Sequence, residues 1–319
     1  MWGCIIIWKY VVKRLLQLIL ILFGITLLSF ALMQTASGDT VDAIQQQMGT
    51  SMSEEAKAAL RHEMGLDQPF IIQYFQWVGK IFTGNMGYSY IKNQEVFPMF
   101  MQALPNTLLL TLSSIVTTIL ISIPLGIWSA VKQNKITDYV IRVCTFIGNA
   151  MPNFFIALLL IYVFALQLHW FPVMGNNGFI SIILPTLTLA LAMSAKYTRQ
   201  VRATVLDELN KDYVIGARAR GIKERTIVLT HVLKSSMLTI VTLLGLSLGS
   251  LLGGTAIVES IFMWPGVGKL AVDAISSRDY QVIQVYVIWM AIIYVAINLI
   301  IDIVYHYLDP RIRIQGEEG

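Results

Sequence analysis

The sequence is poor in charged residues. Asp, Glu, Lys and Arg make up 13% of its 319 residues, whereas 56% are hydrophobic. Because a soluble domain carries roughly 25% charged residues, this composition indicates a protein with several membrane-spanning segments. The net charge of +4 does not indicate a nucleic-acid partner, since most of the excess lies beside hydrophobic segments.

Cysteine and histidine are also scarce. Cys4 and Cys144 offer no disulfide framework and no metal-binding spacing. The four histidines lie far apart, and none is paired with Cys, Asp or Glu at zinc-like spacing. No phosphate-binding loop occurs either, because Gly266-Val-Gly-Lys269 lacks the first glycine and the Ser or Thr of that motif. We therefore predict a non-catalytic chain that binds neither a metal nor ATP itself.

Long hydrophobic runs dominate what remains. A helix needs about 20 mostly apolar residues to cross a bilayer. Six segments meet that length, at roughly 10–33, 104–131, 140–168, 180–203, 237–262 and 283–307. The first is too long for a signal peptide and has no small-residue cleavage site after it, so we interpret it as a retained span. We expect an all-α, polytopic membrane protein with six transmembrane helices.

Lys and Arg predict the orientation of these spans. Seventeen of them would lie on the side that holds both termini, and six on the other side. Since cytoplasmic loops are enriched in Lys and Arg, both termini are predicted to be cytoplasmic. The chain then divides into a first span (1–33), an enlarged outer loop (34–103), a five-span core (104–307) with a cytoplasmic loop (204–236), and a tail (308–319).

The outer loop contains two helix signals. Ser51-Met-Ser-Glu54 fits a capping box, and Gly65 is a plausible end for the helix that follows. The aromatic, amphipathic stretch 69–82 is predicted to lie along the outer membrane surface. The loop is either a small cap packed on the helices or a contact for an external protein that delivers substrate.

The third span carries Met151-Pro152-Asn153 near its middle. A proline inside a helix frees a backbone carbonyl, which in lipid must be satisfied by neighbouring helices or a cavity. The pattern therefore predicts a bent helix, either beside a transport path or in ordinary packing.

The fifth span presents a face of small residues. Gly245, Gly249 and Gly253 recur every four residues, which allows close helix approach. This face either packs on a neighbouring helix of this chain, forms a seam that lines or gates a passage, or pairs with a second subunit. Two acids, Glu259 and Asp302, lie nearest the hydrophobic interior, and each has either a role in the path or an ordinary explanation. For Glu259 that explanation is solvation or a bond to the following loop, and for Asp302 it is pairing with an inner-face Arg or Lys.

The most polar long stretch runs from Asp212 to Ser236, between two spans. Asn210 or Asp212 is predicted to cap a short helix there, and Gly221 to end it, with a second helix from about Lys223. Such a helix–turn–helix is either a basic loop that obeys the positive-inside rule or a docking surface for an ATPase.

Several motifs together resemble one transporter family. The motifs are Asp212-Tyr-Val-x-x-Ala217-Arg218-Ala219-Arg220-Gly221, Glu259-Ser-Ile-Phe262-x-Trp-Pro265-Gly266-x-Gly268 with Arg278-Asp279-Tyr280, and Gly65-Leu-Asp-Gln-Pro69. They resemble the ABC importer permeases of the dipeptide, oligopeptide and nickel branch, over nearly the whole chain. The chain departs from the wider pattern of this cytoplasmic loop, the EAA loop, at Gly216, where that pattern has glutamate, and this departure is common in the branch. It also departs at Ser235 and Thr239, where Asn and Pro are usual.

The resemblance implies a type I ABC importer permease fold and a set of partners. The partners are a second permease, two ATPase subunits that use ATP and Mg²⁺, an extracytoplasmic binding protein, and the lipid of a bacterial cytoplasmic membrane. Ala217 to Gly221 would form the coupling helix seated in the ATPase, supported by Asp212, Tyr213 and His231. Glu259 and the Pro265-Gly266-Val267-Gly268 loop would serve an outer gate or dock the binding protein.

The substrate is predicted from the same resemblance. Met151-Pro152-Asn153-Phe154 and the stretch 168–175 resemble nickel permeases, so nickel or a metal chelate is favoured, with a di- or oligopeptide as the alternative. An ATP-independent secondary transporter would need an internal repeat with paired broken helices and a coupling-ion site, and the sequence shows neither.

Overall fold

The computed structural model describes residues 2–35, 41–42, 44–45, 52–173 and 178–308 of the chain. For residues 2–15, 33–35, 302–308 and several between 238 and 254, the description covers the backbone only. The chain forms two compact units. The first comprises Met1–Thr107 and Pro265–Ala296, and the second Leu108–Trp264 and Ile297–Gly319.

The described elements are almost entirely helical. In chain order they are α1 (Trp2–Thr35), α2 (Glu54–Met64), α3 (Phe70–Phe82), β1 (Tyr88–Ser89), β2 (Gln94–Glu95), α4 (Val96–Val131), α5 (Ile136–Ala150), α6 (Asn153–Leu160), α7 (Ile183–Leu209), α8 (Asp212–Ala219), α9 (Leu233–Ile261), α10 (Val267–Ser276) and α11 (Tyr280–Leu308). A π-helical segment, Ile161–Gln167, continues α6, and a 3₁₀ turn, Gly178–Ile182, precedes α7. A single helical turn, Glu224–Thr226, and a second π-helical segment, Ile227–Val232, lead into α9.

The helix of the outer loop ends as predicted but starts differently. Gly65 adopts φ +71° at the C-terminus of α2, where a residue without a Cβ is favoured. The N-cap is Ser53, whose Oγ accepts a hydrogen bond from the Ala56 backbone N–H at 3.2 Å. Ser51, the predicted first residue of the capping box, lies outside the described residues.

Helix α3 packs its aromatic face against α1. Tyr74 and Trp77 are buried in a cluster that includes Leu22 and Phe30 of α1. The Tyr74 hydroxyl lies 2.9 Å from the Thr26 Oγ1, a hydrogen bond in which either oxygen can donate. Within the first unit this segment is therefore a cap packed on α1, and its position on a membrane surface stays a prediction.

The start of α4 was predicted wrongly. The helix begins at Val96 rather than 104, directly after the two-residue hairpin that pairs Tyr88 with Glu95 and Ser89 with Gln94. Val96, Met99 and Phe100 are buried, and their helical spacing continues the apolar face upstream of Pro105. Pro105 therefore lies inside the helix.

Helix α7 is the central element of the second unit. It contacts α5, α6 and α9. One apolar cluster surrounds its N-terminal half, including Leu184 and Leu189, and a second surrounds Val201, Val205 and Leu209. The helix ends at Leu209 and not at the predicted 203, so residues 204–209 belong to α7 rather than to the loop that follows.

Three helices are long and apolar enough to cross a membrane within the described residues. They are Val96–Val131, Gly178–Leu209 and Tyr280–Ile301. The third predicted span is broken: Ile136–Ala150 and Asn153–Gln167 meet at an angle of 105°, so the bend predicted at Pro152 is confirmed. The first and fifth predicted spans fall partly on side chains that are not described, and the total of six spans and the position of the termini stay predictions.

Candidate functional site

Helix α8 is the core of the polar stretch that the sequence singles out. Its N-cap is Lys211, with extended backbone at φ −79° and ψ 151° and no side-chain cap. The Lys211 carbonyl accepts from the backbone N–H of Val214 at 2.9 Å. The prediction that Asn210 or Asp212 caps this helix with its side chain is therefore wrong.

The end of α8 was predicted correctly. Gly221 has φ +74°, and its N–H donates to the Arg218 carbonyl at 2.9 Å. The next N–H, of Ile222, donates to the Ala217 carbonyl at 3.2 Å. These two bonds form a Schellman motif, which satisfies carbonyls that would otherwise lack partners at the helix end. After this motif the chain turns back into the single helical turn Glu224–Thr226 and the π-helical segment that leads into α9.

The inner face of α8 is locked to the second unit. Val214 and Ala217 are 0% and 2% exposed and belong to a cluster with Val205, Ile227 and Val228. Because this cluster joins α7, α8 and the π-helical segment, α8 is firmly packed rather than a free loop.

The outer face of α8 is exposed and mixes apolar and basic side chains. Tyr213 and Ile215 are 39% and 57% exposed. Arg218, Ala219, Arg220 and Gly221 are also exposed. We call this face the α8 surface, comprising Tyr213, Ile215, Gly216 and 218–221. The docking role predicted for this surface stays a prediction.

Two side-chain contacts order the α8 surface. Arg218 donates two hydrogen bonds to the Glu224 carboxylate, from Nε at 3.0 Å and from Nη2 at 2.7 Å. These hydrogen bonds lower the pKa of Glu224 and raise the pKa of Arg218. The Tyr213 hydroxyl donates to Glu208 at 2.9 Å, and burial, followed by that bond, raises the pKa of Tyr213.

The predicted supporting residues have different surroundings. Tyr213 bonds Glu208 at the end of α7 and so ties α8 back to that helix. Asp212 and His231 are exposed, and in the described part of the chain their side chains make no hydrogen bond or ion pair. Their supporting roles stay predictions.

A buried ion pair that the sequence reasoning missed lies where α4, α5 and α7 meet. Asp138 is 0% exposed and accepts from Arg202 Nε at 2.7 Å and Nη2 at 2.8 Å. It also accepts from the Ser129 hydroxyl at 2.5 Å and the Asn134 N–H at 3.0 Å. This Asp138 clamp fixes the three helices beside the α8 cluster. In the sequence this pair is indicated only by the position of Asp138, an acid just before the apolar stretch 140–168.

The glycine face of α9 is packed at one end and open at the other. A Cβ on Gly245 would lie 2.7 Å from the Ile301 side chain, so a neighbouring helix of the same chain requires glycine there. A Cβ on Gly253 would meet no described atom within 4 Å. Close packing thus accounts for Gly245, and the surroundings of Gly249 lie outside the described side chains. The segment Gly245-Leu-Ser-Leu-Gly249 also fits the G-x-S-x-G pattern that presents a nucleophilic serine in hydrolases. That pattern works at a turn from a strand into a helix, whereas this segment lies inside a helix, so it is not a nucleophile turn.

The predicted outer-gate residues fall in both units. In the second unit Glu259 is fully buried, which excludes solvation as the explanation for this acid, and its carbonyl accepts from the Trp264 N–H at 2.8 Å. Asp302 lies where only the backbone is described.

In the first unit the loop Pro265–Gly268 is held by two hydrogen bonds. Asn106 Nδ2 donates to the Pro265 carbonyl and the Val267 N–H donates to Thr107 Oγ1, each at 2.9 Å. Gly266 is the N-cap of α10, and Gly268 is buried within that helix. The roles of these residues in a gate stay predictions.

Sequence matches place the chain among transport proteins. Residues 122–314 match the family described as binding-protein-dependent transport system inner membrane component, and residues 7–111 match the N-terminal region of such components. The chain is 41% identical over 315 residues to the oligopeptide transport system permease protein AppB of Bacillus subtilis (strain 168), covering 95% of this chain and 99% of the relative. It is 36% identical over 305 residues to the glutathione transport system permease protein GsiC of Escherichia coli (strain K12), covering 96% and 99%.

Solved structures agree on the fold. A structure of the MetNI methionine ABC transporter in an inward-facing conformation aligns with a TM-score of 0.57 at 16% identity, over 66% of this chain and 96% of that one. An amino acid ABC transporter aligns with a TM-score of 0.51 at 17% identity, over 66% and 94%. The fold is that of type I ABC importer permeases.

Together these matches define a permease subunit of an ABC importer, an integral membrane protein. The chain belongs to the family of binding-protein-dependent transport system inner membrane components. Such permeases in general work with another permease, ATPases and a binding protein. The preference for nickel is not supported, because AppB and GsiC are oligopeptide and glutathione permeases and favour the peptide alternative.

Proposed function

We propose that this chain is a permease subunit of an ABC importer for peptides. The observation that carries this proposal is the similarity to oligopeptide and glutathione permeases over 95% and 96% of the chain. Both named substrates are peptides or peptide-like, so a peptide path accommodates both relatives. The protein would lie in a bacterial cytoplasmic membrane, with a second permease and a binding protein as partners.

We propose further that the α8 surface docks an ATPase subunit. Ile215 offers an exposed apolar contact, and Arg218 and Arg220 offer positive charge beside it. Because Val214 and Ala217 bury the opposite face of the same helix, a movement imposed on α8 would pass to α7 and α9. Firm packing on one side and free exposure on the other is what a coupling element needs.

Transport would follow from alternating access. Closure of the ATPase pair on ATP would move the two α8 helices of a permease pair together and open the path outward. Hydrolysis would reset it inward. Each step requires that the two states differ in their contacts with ATPase or substrate, since a ligand shifts an equilibrium only through differential affinity.

Uptake by cells that carry or lack this chain tests the substrate. Radiolabelled di- and tripeptides and radiolabelled nickel are supplied separately, each with and without an excess of the other unlabelled compound. We expect peptide uptake that depends on the chain and is unaffected by nickel. Chain-dependent nickel uptake that ignores peptides would restore the nickel interpretation and contradict the proposal.

A further inference from the structure

A cavity of about 250 Å³ opens in the second unit at the break between α5 and α6. Asn149, at the end of α5, and Asn153, at the start of α6, line one side of it. Lys196 and Met193 of α7 line the other, with Leu251 of α9. The cavity adjoins the first apolar cluster, because Leu189, Leu251 and the half-buried Met193 line the cavity and also belong to or pack against that cluster. The second cluster begins further along α7, at Val201.

Lys196 is the basic residue of α7 that lines the cavity, and like Arg199 it is exposed. It precedes Arg202 by six residues, or about 9 Å along the helix axis at a rise of 1.5 Å per residue. Arg202 is paired with the buried Asp138, whereas Lys196 and Arg199 make no ion pair or hydrogen bond within the described part of the chain. Of these two, Lys196 lines the cavity. An ammonium inside a span is costly unless it faces water, a partner charge or a ligand.

The surroundings of Lys196 fit a ligand group that accepts hydrogen bonds. Asn149 and Asn153 each carry an amide NH₂ that can donate. The first turn of α6 begins at the same break, and backbone N–H groups of a first helical turn favour negative charge. Lys196 supplies the full positive charge, and no acidic side chain among the described residues lines the cavity.

We propose that Lys196, with Asn149 and Asn153, forms a subsite that holds a carboxylate of the transported peptide. This inference rests on the proposed peptide function and names the part of the peptide that is recognised. The cavity is smaller than the roughly 300–1,000 Å³ of a complete small-molecule site, so it would hold one end of a peptide rather than the whole molecule. Peptides and glutathione alike carry a terminal carboxylate that such a subsite would accept.

The test uses the complete transporter, with its partner permease, ATPases and binding protein, in proteoliposomes. Initial uptake is measured for one tripeptide as the free acid and as its C-terminal amide. The variants are Lys196→Met, which removes the charge, and Lys196→Arg, which keeps it. Rates are normalised to assembled complex and compared for each peptide with the wild-type rate.

We expect Lys196→Met to lower uptake of the free acid at least tenfold, with little effect on the amide, and Lys196→Arg to retain most uptake. Equal rates for wild type and Lys196→Met on the free acid would overturn the subsite. Equal losses on both peptides would also overturn it and would indicate that Lys196 pairs with an acid of the partner permease. Wild-type protein that imports neither peptide would instead refute the peptide function itself.

Asn149→Asp provides a second variant that keeps Lys196 in place. The new carboxylate would occupy the subsite beside Lys196 and compete with the substrate. We expect the same selective loss on the free acid, which keeps the proposal testable if Lys196→Met fails to assemble. Unchanged selectivity in an assembled Asn149→Asp transporter would contradict the proposal.

Discussion

Two arginine–carboxylate pairs in the second unit look alike in geometry but differ in burial. Arg202 donates two hydrogen bonds to Asp138, and the side chains of Arg202 and Asp138 are 19% and 0% exposed. Arg218 also donates two hydrogen bonds to Glu224, but the side chains of Arg218 and Glu224 are 45% and 48% exposed. The first pair joins three helices, whereas the second bridges one turn at the protein surface.

The difference in burial gives the two pairs different effects on stability. Removing one partner of a buried pair leaves a charge without compensation, which is strongly destabilising. An exposed pair contributes little to stability because water and salt screen it. The Asp138 clamp therefore holds the helices in place, and the Arg218–Glu224 pair only shapes the α8 surface that a partner would meet.

The largest effect is expected from Asp138→Ala. Arg202 would stay largely buried without its partner, at a cost of about 3–5 kcal/mol. We expect strongly reduced abundance in the membrane and a lower thermal midpoint in detergent. Arg202→Met combined with Asp138→Ala should recover part of the loss, because it removes the unpaired charge. If the single variant is as stable as wild type, the clamp does not anchor these helices.

Gly221→Ala should have an intermediate effect. At φ +74° a side chain costs about 1–2 kcal/mol, so the Schellman turn after α8 would be strained. Gly216→Ala is the matched control in the same helix, since a Cβ there meets no described atom within 4 Å. It should be neutral or stabilising by about 0.5–1 kcal/mol, because alanine is the better helix former. Thermal unfolding of both variants measures the difference, and equal destabilisation would contradict the assignment of the turn.

Glu224→Ala should have the smallest effect on stability, about 0.2–1 kcal/mol. Because the pKa of Glu224 is lowered, the contribution of the pair is present above the ordinary pKa of glutamate and is lost as pH falls through the lowered value. Thermal stability of wild type and Glu224→Ala should therefore converge in acid, and it should also converge at high salt because salt screens an exposed pair. A large loss at neutral pH would show that the pair is structural, like the clamp.

Local signals in the sequence correctly predicted two helix C-termini and one bend, although the start of α4, the end of α7 and the N-cap of α8 were predicted wrongly. Gly65 and Gly221 were identified as helix ends because a positive φ favours glycine wherever it occurs. The bend at Pro152 was likewise a local property of the chain. The helix–turn–helix around Gly221 followed from these same rules.

Pairings over long separations could not be predicted in this way. Asp138 and Arg202 are 64 residues apart, and nothing in the local pattern of either indicates the other. The hydrogen bond between Ser89 and the buried Asp279 joins residues 190 apart, and the hairpin that places Ser89 has only two residues in each strand. The start of α4 was missed for the same reason, because its first turn is stabilised by packing against α10 and α11.

The central claim is that the α8 surface couples the permease to an ATPase. Reconstituted complete transporter carrying Ile215→Asp tests it most directly, with Leu229→Asp as the control, since Leu229 is 47% exposed but lies outside α8. Co-purification of the ATPase and peptide-stimulated ATP hydrolysis are measured together. The account predicts that Ile215→Asp loses both while inserting normally, and that Leu229→Asp keeps both. Normal ATPase binding and hydrolysis in assembled Ile215→Asp would contradict it.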